Sequence, residues 1–131
     1  MSTLNVSNIT DGTTTVGTSY VVNGSAKAWA YINHPSAVYR ESFNTSSFTD
    51  SGTGKGLINL TNSMATVNYS VTTAANSVSS GVAYVSAIMD YTYYVSRSAS
   101  SFPFSSTIAY ESSSSFYDMV YGHFAFQGDL A

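Results

Sequence analysis

Apolar residues alternate with polar ones at a period of two along most of the 131 residues, a spacing that gathers them on one face of a β-strand and scatters them around a helix. The clearest case sets Ala26, Ala28, Ala30 and Ile32 against Lys27, Trp29, Tyr31 and Asn33. His34-Pro35 closes that strand, because proline lacks a ladder donor and holds the residue before it extended. Residues 37–43 form a second strand, with Val38, Arg40 and Ser42 opposite Tyr39, Glu41 and Phe43. Gly52, Gly54 and Gly56 then mark a hairpin or bulged turn. Phosphate cradling is the sharper reading of Gly-x-Gly-Lys-Gly, but P-loop spacing and a following helix are both absent.

Leu57–Leu60 and Ala65–Val71 read as strands joined by 61–64, with Val67, Tyr69 and Val71 on one face. Residues 72–81 are small and polar and read as a loop. Val82–Val95 is the most apolar stretch and reads as strand, and 97–106 and 111–115 are serine-rich and read as exposed loops. Residues 116–127 alternate again and predict a terminal strand. About six to nine strands without a helical pattern indicate an all-β fold, an antiparallel β-sandwich or jelly-roll-like head over residues 25–131. Leu4, Val6, Ile9, Val16, Tyr20, Val21 and Val22 are too sparse to build a core among themselves. Residues 1–24 are therefore expected to be an extended segment that attaches the chain to another surface.

Charged residues make up only 8% of the chain, with a net charge of −3. Lys27, Arg40, Lys55 and Arg97 are isolated, which argues against a nucleic-acid partner. Cysteine is absent, so there is no disulfide framework and no thiolate chemistry. No apolar run approaches the ~18 residues of a membrane span, and the first ten residues lack the pattern of a signal peptide, so membrane insertion and export by the common route are not expected. Few surface charges also leave sheet edges without their usual protection, so loops or partner subunits are expected to cover them.

At Asn23-Gly-Ser-Ala-Lys-Ala-Trp-Ala-Tyr-Ile32 and Ser42-Phe-Asn-Thr-Ser-Ser-Phe-Thr-Asp-Ser-Gly-Thr-Gly54, the chain resembles a recurring module of tailed-phage fibres and virion appendages, especially in phages of marine bacteria. The resemblance continues through Leu57–Met64, Val67–Val71 and the closing Phe126–Ala131, about half of the chain. It implies a virion structural protein that projects a β-rich head, usually as a homotrimer, and in many relatives touches the host surface. Residues 1–24, through Leu4, Val6, Ile9 and Val16, would then trimerise the chain or attach it to other virion proteins. The implied location is the virion, assembled in the host cytoplasm. Residues 72–125 depart from the family wording, so the resemblance carries over no receptor site.

Catalysis lacks a signature: the seven carboxylates are dispersed, His34 and His123 are the two histidines, and no Gly-x-Ser-x-Gly elbow occurs. Asp90 and Asp118 are the carboxylate pair that a glycosidase reading would use. His123 with Asp118 or Asp129 is the metal-ligand reading, set against a half-buried, hydrogen-bonded histidine; neither a metal nor a cofactor is expected. Sugar binding is the better prospect, since aromatic faces pack on sugar C–H groups while hydroxyls and amides bond their alcohols. Arg97, Phe102, Phe104, Phe116 and Tyr117 are the candidate contacts for a host-surface glycan, against the alternative that Phe102 and Phe104 fill the core. Trp29 and Tyr91 are assigned to packing.

Overall fold

The alternation at Ala26–Asn33 has a packing consequence that organises the fold. Its inward side chains are small, so facing strands must supply the bulk that fills the interior. The computed structural model describes residues 5–76, 78–79, 82–83, 86–90, 96–110 and 113–131. In chain order the elements are β1 (Asn8–Thr10), β2 (Thr15–Gly17), α1 (Thr18–Gly24), β3 (Ala26–Asn33), β4 (Val38–Phe43), β5 (Thr45–Gly52) and β6 (Lys55–Leu60). There follow β7 (Ser70–Asn76), β8 (Val78–Ser79), β9 (Val82–Ala83), β10 (Ser86–Asp90), β11 (Ser101–Tyr110), β12 (Ser113–Phe116) and β13 (Tyr121–Gln127).

One sheet has the order β4-β3-β13-β7, and the other has β10-β11-β6-β5, with β12 also paired to β11. Every strand pairing among the described residues is antiparallel. Small residues stand opposite large ones across the ladders: Ala30 pairs with Phe124, Ala28 with Phe126, and Gly56 with Phe104. The rings fill the space between the sheets, with Phe104 and Phe124 centroids 4.9 Å apart and Phe102 5.8 Å from Phe126. Ile32, Ile58, Met64 and Met119 complete this core. The result is an all-β sandwich with the phenylalanines of β11 and β13 at its centre.

Asn44 is the corner at which the chain leaves the first sheet for the second. Its φ of 54° is a left-handed conformation that asparagine tolerates better than most side chains. Its amide holds the corner, donating to the Lys27 carbonyl at 3.0 Å and accepting from the Asn62 backbone N–H at 2.8 Å.

Several sequence-based expectations are corrected. The loop expected at 72–81 contains β7, an edge strand that pairs along β13 from Ser70 to Asn76. Its Thr72-Thr73-Ala74-Ala75 run has no bulky alternation to reveal it. The strand expected over Ala65–Val71 begins only at Ser70, and Val67 is exposed while Tyr69 is buried. The two serine-rich loops hold β11 and β12. Pro103 is tolerated inside β11 because it pairs with Leu57 on one side and lies one residue beyond the described pairing with β10. The terminal strand begins at Tyr121, and β12 ends at Phe116.

Residues 5–24, from the segment expected to attach the chain, carry a hairpin and one short helix. β1 and β2 form a hairpin whose turn is held by Asp11; its carboxylate accepts the N–H groups of Thr14 and Thr13 at 2.8 and 2.9 Å, and those bonds hold the carboxyl below its ordinary range. α1 is too short to show a helical period in sequence and buries none of its residues. Lys27 caps its C-terminal end by donating to the Val22 carbonyl and to the Ser25 carbonyl.

Candidate functional site

With the small side chains of β3 turned inward, its large ones must face outward, and the same holds for alternate residues of β13. Trp29 and Tyr31 stand beside Ala125 and His123 on the outer face of the four-stranded sheet. Across β4, Phe43 pairs with Trp29 and Glu41 with Tyr31. Along the other edge, Thr72 lies beside Ala125 and Ala74 beside His123. Bulky rings on β3 next to small residues on β13 and β7 leave an open groove of about 420 Å³, lined by Trp29, Tyr31, Glu41, Thr72, Ala74, His123 and Ala125 together with neighbouring backbone. That volume lies within the usual range of small-molecule sites.

The groove wall is fixed by ring packing. Tyr31 and His123 stack with centroids 4.3 Å apart and planes 11° from parallel. Tyr121 leans on Tyr31 at 5.5 Å, and Arg40 donates to the Tyr121 hydroxyl at 2.8 Å with its guanidinium 5.0 Å from that ring. A register shift between Tyr31 and Ile32 turns Arg40 to this face. Trp29 is 39% exposed, so a large part of its indole is open to solvent. This corrects the packing role expected for Trp29; Tyr91 lies outside the described residues.

The residues chosen from sequence do not converge. Phe102 and Phe104 are buried in the core, so neither offers a face to a ligand. Arg97 is engaged as a clamp: it lies 3.9 Å above the Tyr69 ring, bonds Asp90 at 3.3 Å and donates to the Tyr69 carbonyl. Burial pushes the Tyr69 hydroxyl pKa up, and Arg97 opposes that shift. Phe116 is exposed beneath the Lys55 ammonium, 4.6 Å from its ring centroid, and Tyr117 is tied through its backbone to Ser106. These two belong to the β12 end of the other sheet. Of the N-terminal candidates, Val6, Ile9 and Val16 are exposed, and Leu4 lies outside the described residues.

The two histidines sit in opposite environments. His123 is exposed on the groove wall, whereas His34 is fully buried, 3.8 Å from Asp118 and 3.9 Å from Asp50. Its Nε2–H donates to the Lys55 carbonyl at 3.2 Å, and Nδ1 has no hydrogen-bond partner. Asp118 accepts the Gly54 N–H at 2.6 Å. Among the described residues, no group of three His, Asp or Glu side chains is arranged to hold a metal ion.

Sequence reasoning did not bring Trp29, Tyr31 and Glu41 together as groove-lining residues, and it weighed His123 only as a metal ligand or a hydrogen-bonded histidine. The available signal was the inverted bulk of β3, small on one face and large on the other. A strand whose alanines face the core must leave its tryptophan outside. No family model, curated protein or solved structure matches the chain.

Proposed function

We propose that the protein is a non-enzymatic structural component of a phage virion, the head of a homotrimeric fibre or appendage that adheres to glycan on the host surface. The open aromatic groove carries the adhesion reading, since exposed rings beside hydroxyl and carboxylate groups suit the two faces of a sugar. The virion reading rests on the sequence resemblance at Asn23–Ile32, Ser42–Gly54 and Leu57–Met64. Among the described residues Glu41 is the single carboxylate lining the groove, whereas glycoside hydrolysis canonically uses a pair. Asp90 and Asp118 are already engaged, by Arg97 and by the Gly54 N–H.

Residues 1–24 supply attachment to other virion proteins and trimerisation. Val6, Ile9, Val16, Tyr20, Val21 and Val22 are all exposed, an apolar set that a neighbouring chain would cover. Three heads on one assembly raise the effective concentration at a cell surface, so modest affinity per groove holds a particle. The same exposed apolar set favours the second reading, a capsid-decorating or tail-assembly protein whose contacts are all with virion proteins.

Light scattering of the full chain is expected to give a mass near three times the 13.9 kDa of one chain, falling to a folded monomer when residues 1–24 are removed. A stable monomer of the full chain would argue against the trimer and its avidity.

A further inference from the structure

Resting on the glycan-adhesion reading, we infer that the groove takes neutral or N-acylated hexopyranoses, stacked on Trp29, and discriminates against uronic and other acidic sugars through Glu41. Hexopyranoses carry C–H groups on at least one ring face, and these positive edges meet the negative face of an indole. Trp29 is exposed to receive such a face, and the stacked Tyr31–His123 pair beside it forms a fixed wall of the groove. Thr72, Ala74 and Ala125 are small enough to let a ring lie close to the sheet.

Charge then separates the sugar classes. Glu41, opposite Tyr31 on the neighbouring strand, is the single acidic lining residue among those described and can accept hydrogen bonds from hydroxyls with two oxygens. A sugar carboxylate brought to the same place would meet a like charge, and the chain's net charge of −3 adds repulsion of the same sign. Arg40, adjacent along β4, does not line the groove; one of its N–H groups donates to the Tyr121 hydroxyl, and its guanidinium lies 5.0 Å from the Tyr121 and 5.9 Å from the Tyr31 ring centroid, farther from the Trp29 end.

The test is a binding panel on the full-length protein with malto-, cello- and chito-oligosaccharides as neutral probes and alginate and polygalacturonate oligomers as acidic ones. Neutral oligosaccharides are expected to bind more tightly than the acidic ones, with Trp29→Ala weakening them by about tenfold or more and Trp29→Phe by less. Glu41→Gln is expected to raise acidic relative to neutral binding by about three- to tenfold. Thermal melts of the variants confirm that both exposed positions leave the sandwich folded. Preference for the acidic oligomers, or a Glu41→Gln variant with unchanged preference, would overturn this inference and leave glycan adhesion standing. Neutral binding that survives Trp29→Ala would move the site off the groove, and failure of every oligosaccharide to bind would overturn the inference and the adhesion reading together.

Discussion

Phe104→Ala is expected to destabilise the protein by about 3–5 kcal/mol in chemical denaturation, the usual cost of emptying an aromatic site in a packed core. Phe104 is fully buried, and its ring contacts Phe124 at 4.9 Å, His34 at 5.5 Å and Phe48 at 6.0 Å between centroids. The ring fits because its partner across the ladder is Gly56, where an added Cβ would stand 2.6 Å from it. Domains of this size are stable by only about 5–15 kcal/mol, so the variant should be partly unfolded under mild denaturant. A loss below about 1 kcal/mol would instead mean that the ring is not a central core element.

Gly54→Ala is expected to cost about 2–5 kcal/mol, from two separate causes. Gly54 has a φ of +66°, where a Cβ crowds the backbone, and that Cβ would sit 2.5 Å from the Tyr117 nitrogen and 2.6 Å from the Ser106 oxygen. Both neighbours are main-chain atoms of a hydrogen-bonded junction, in which Ser106 N–H donates to the Gly54 carbonyl and Tyr117 N–H to the Ser106 carbonyl. They cannot swing aside as a side chain would. Gly52 makes the control: its φ is +112°, but an added Cβ meets nothing within 4 Å. Gly52→Ala should therefore lose only the conformational contribution, and a Gly54→Ala loss no greater than the roughly 1–2 kcal/mol of a left-handed backbone would contradict the junction at Ser106.

The glycines of that turn illustrate what local sequence conveys well. Gly-x-Gly-Lys-Gly reads as a β5–β6 hairpin because no helix follows it, and the structure gives the glycines left-handed φ at 52 and 54 and a close ring contact at 56. The β3 alternation and its stop at His34-Pro35 were equally legible, since both depend on neighbours in the chain. What failed depended on strands distant in sequence. Ser101-Phe-Pro-Phe-Ser-Ser106 looks like an exposed loop until β6 and β10 are laid along it, and then its phenylalanines become the centre of the core. Trp29 suffers the reverse: a tryptophan is highly buried on average, and the pairing of Ala28 and Ala30 with Phe126 and Phe124 settles what the small and large faces of β3 hinted, that its own face points outward. The ligand contacts expected of Phe102 and Phe104, whose core alternative the burial supports, and the packing role expected of Trp29 thus went astray for one reason, the assignment of faces.

Because Trp29 is the single tryptophan of the chain, its fluorescence reports on the groove alone. The most direct test is acrylamide quenching of the full-length protein with and without a neutral oligosaccharide from the binding panel. The adhesion account predicts an indole that acrylamide reaches in the free protein and that the oligosaccharide protects. An indole already shielded before any sugar is added, and unchanged afterwards, would contradict it and assign this face to contacts between virion proteins.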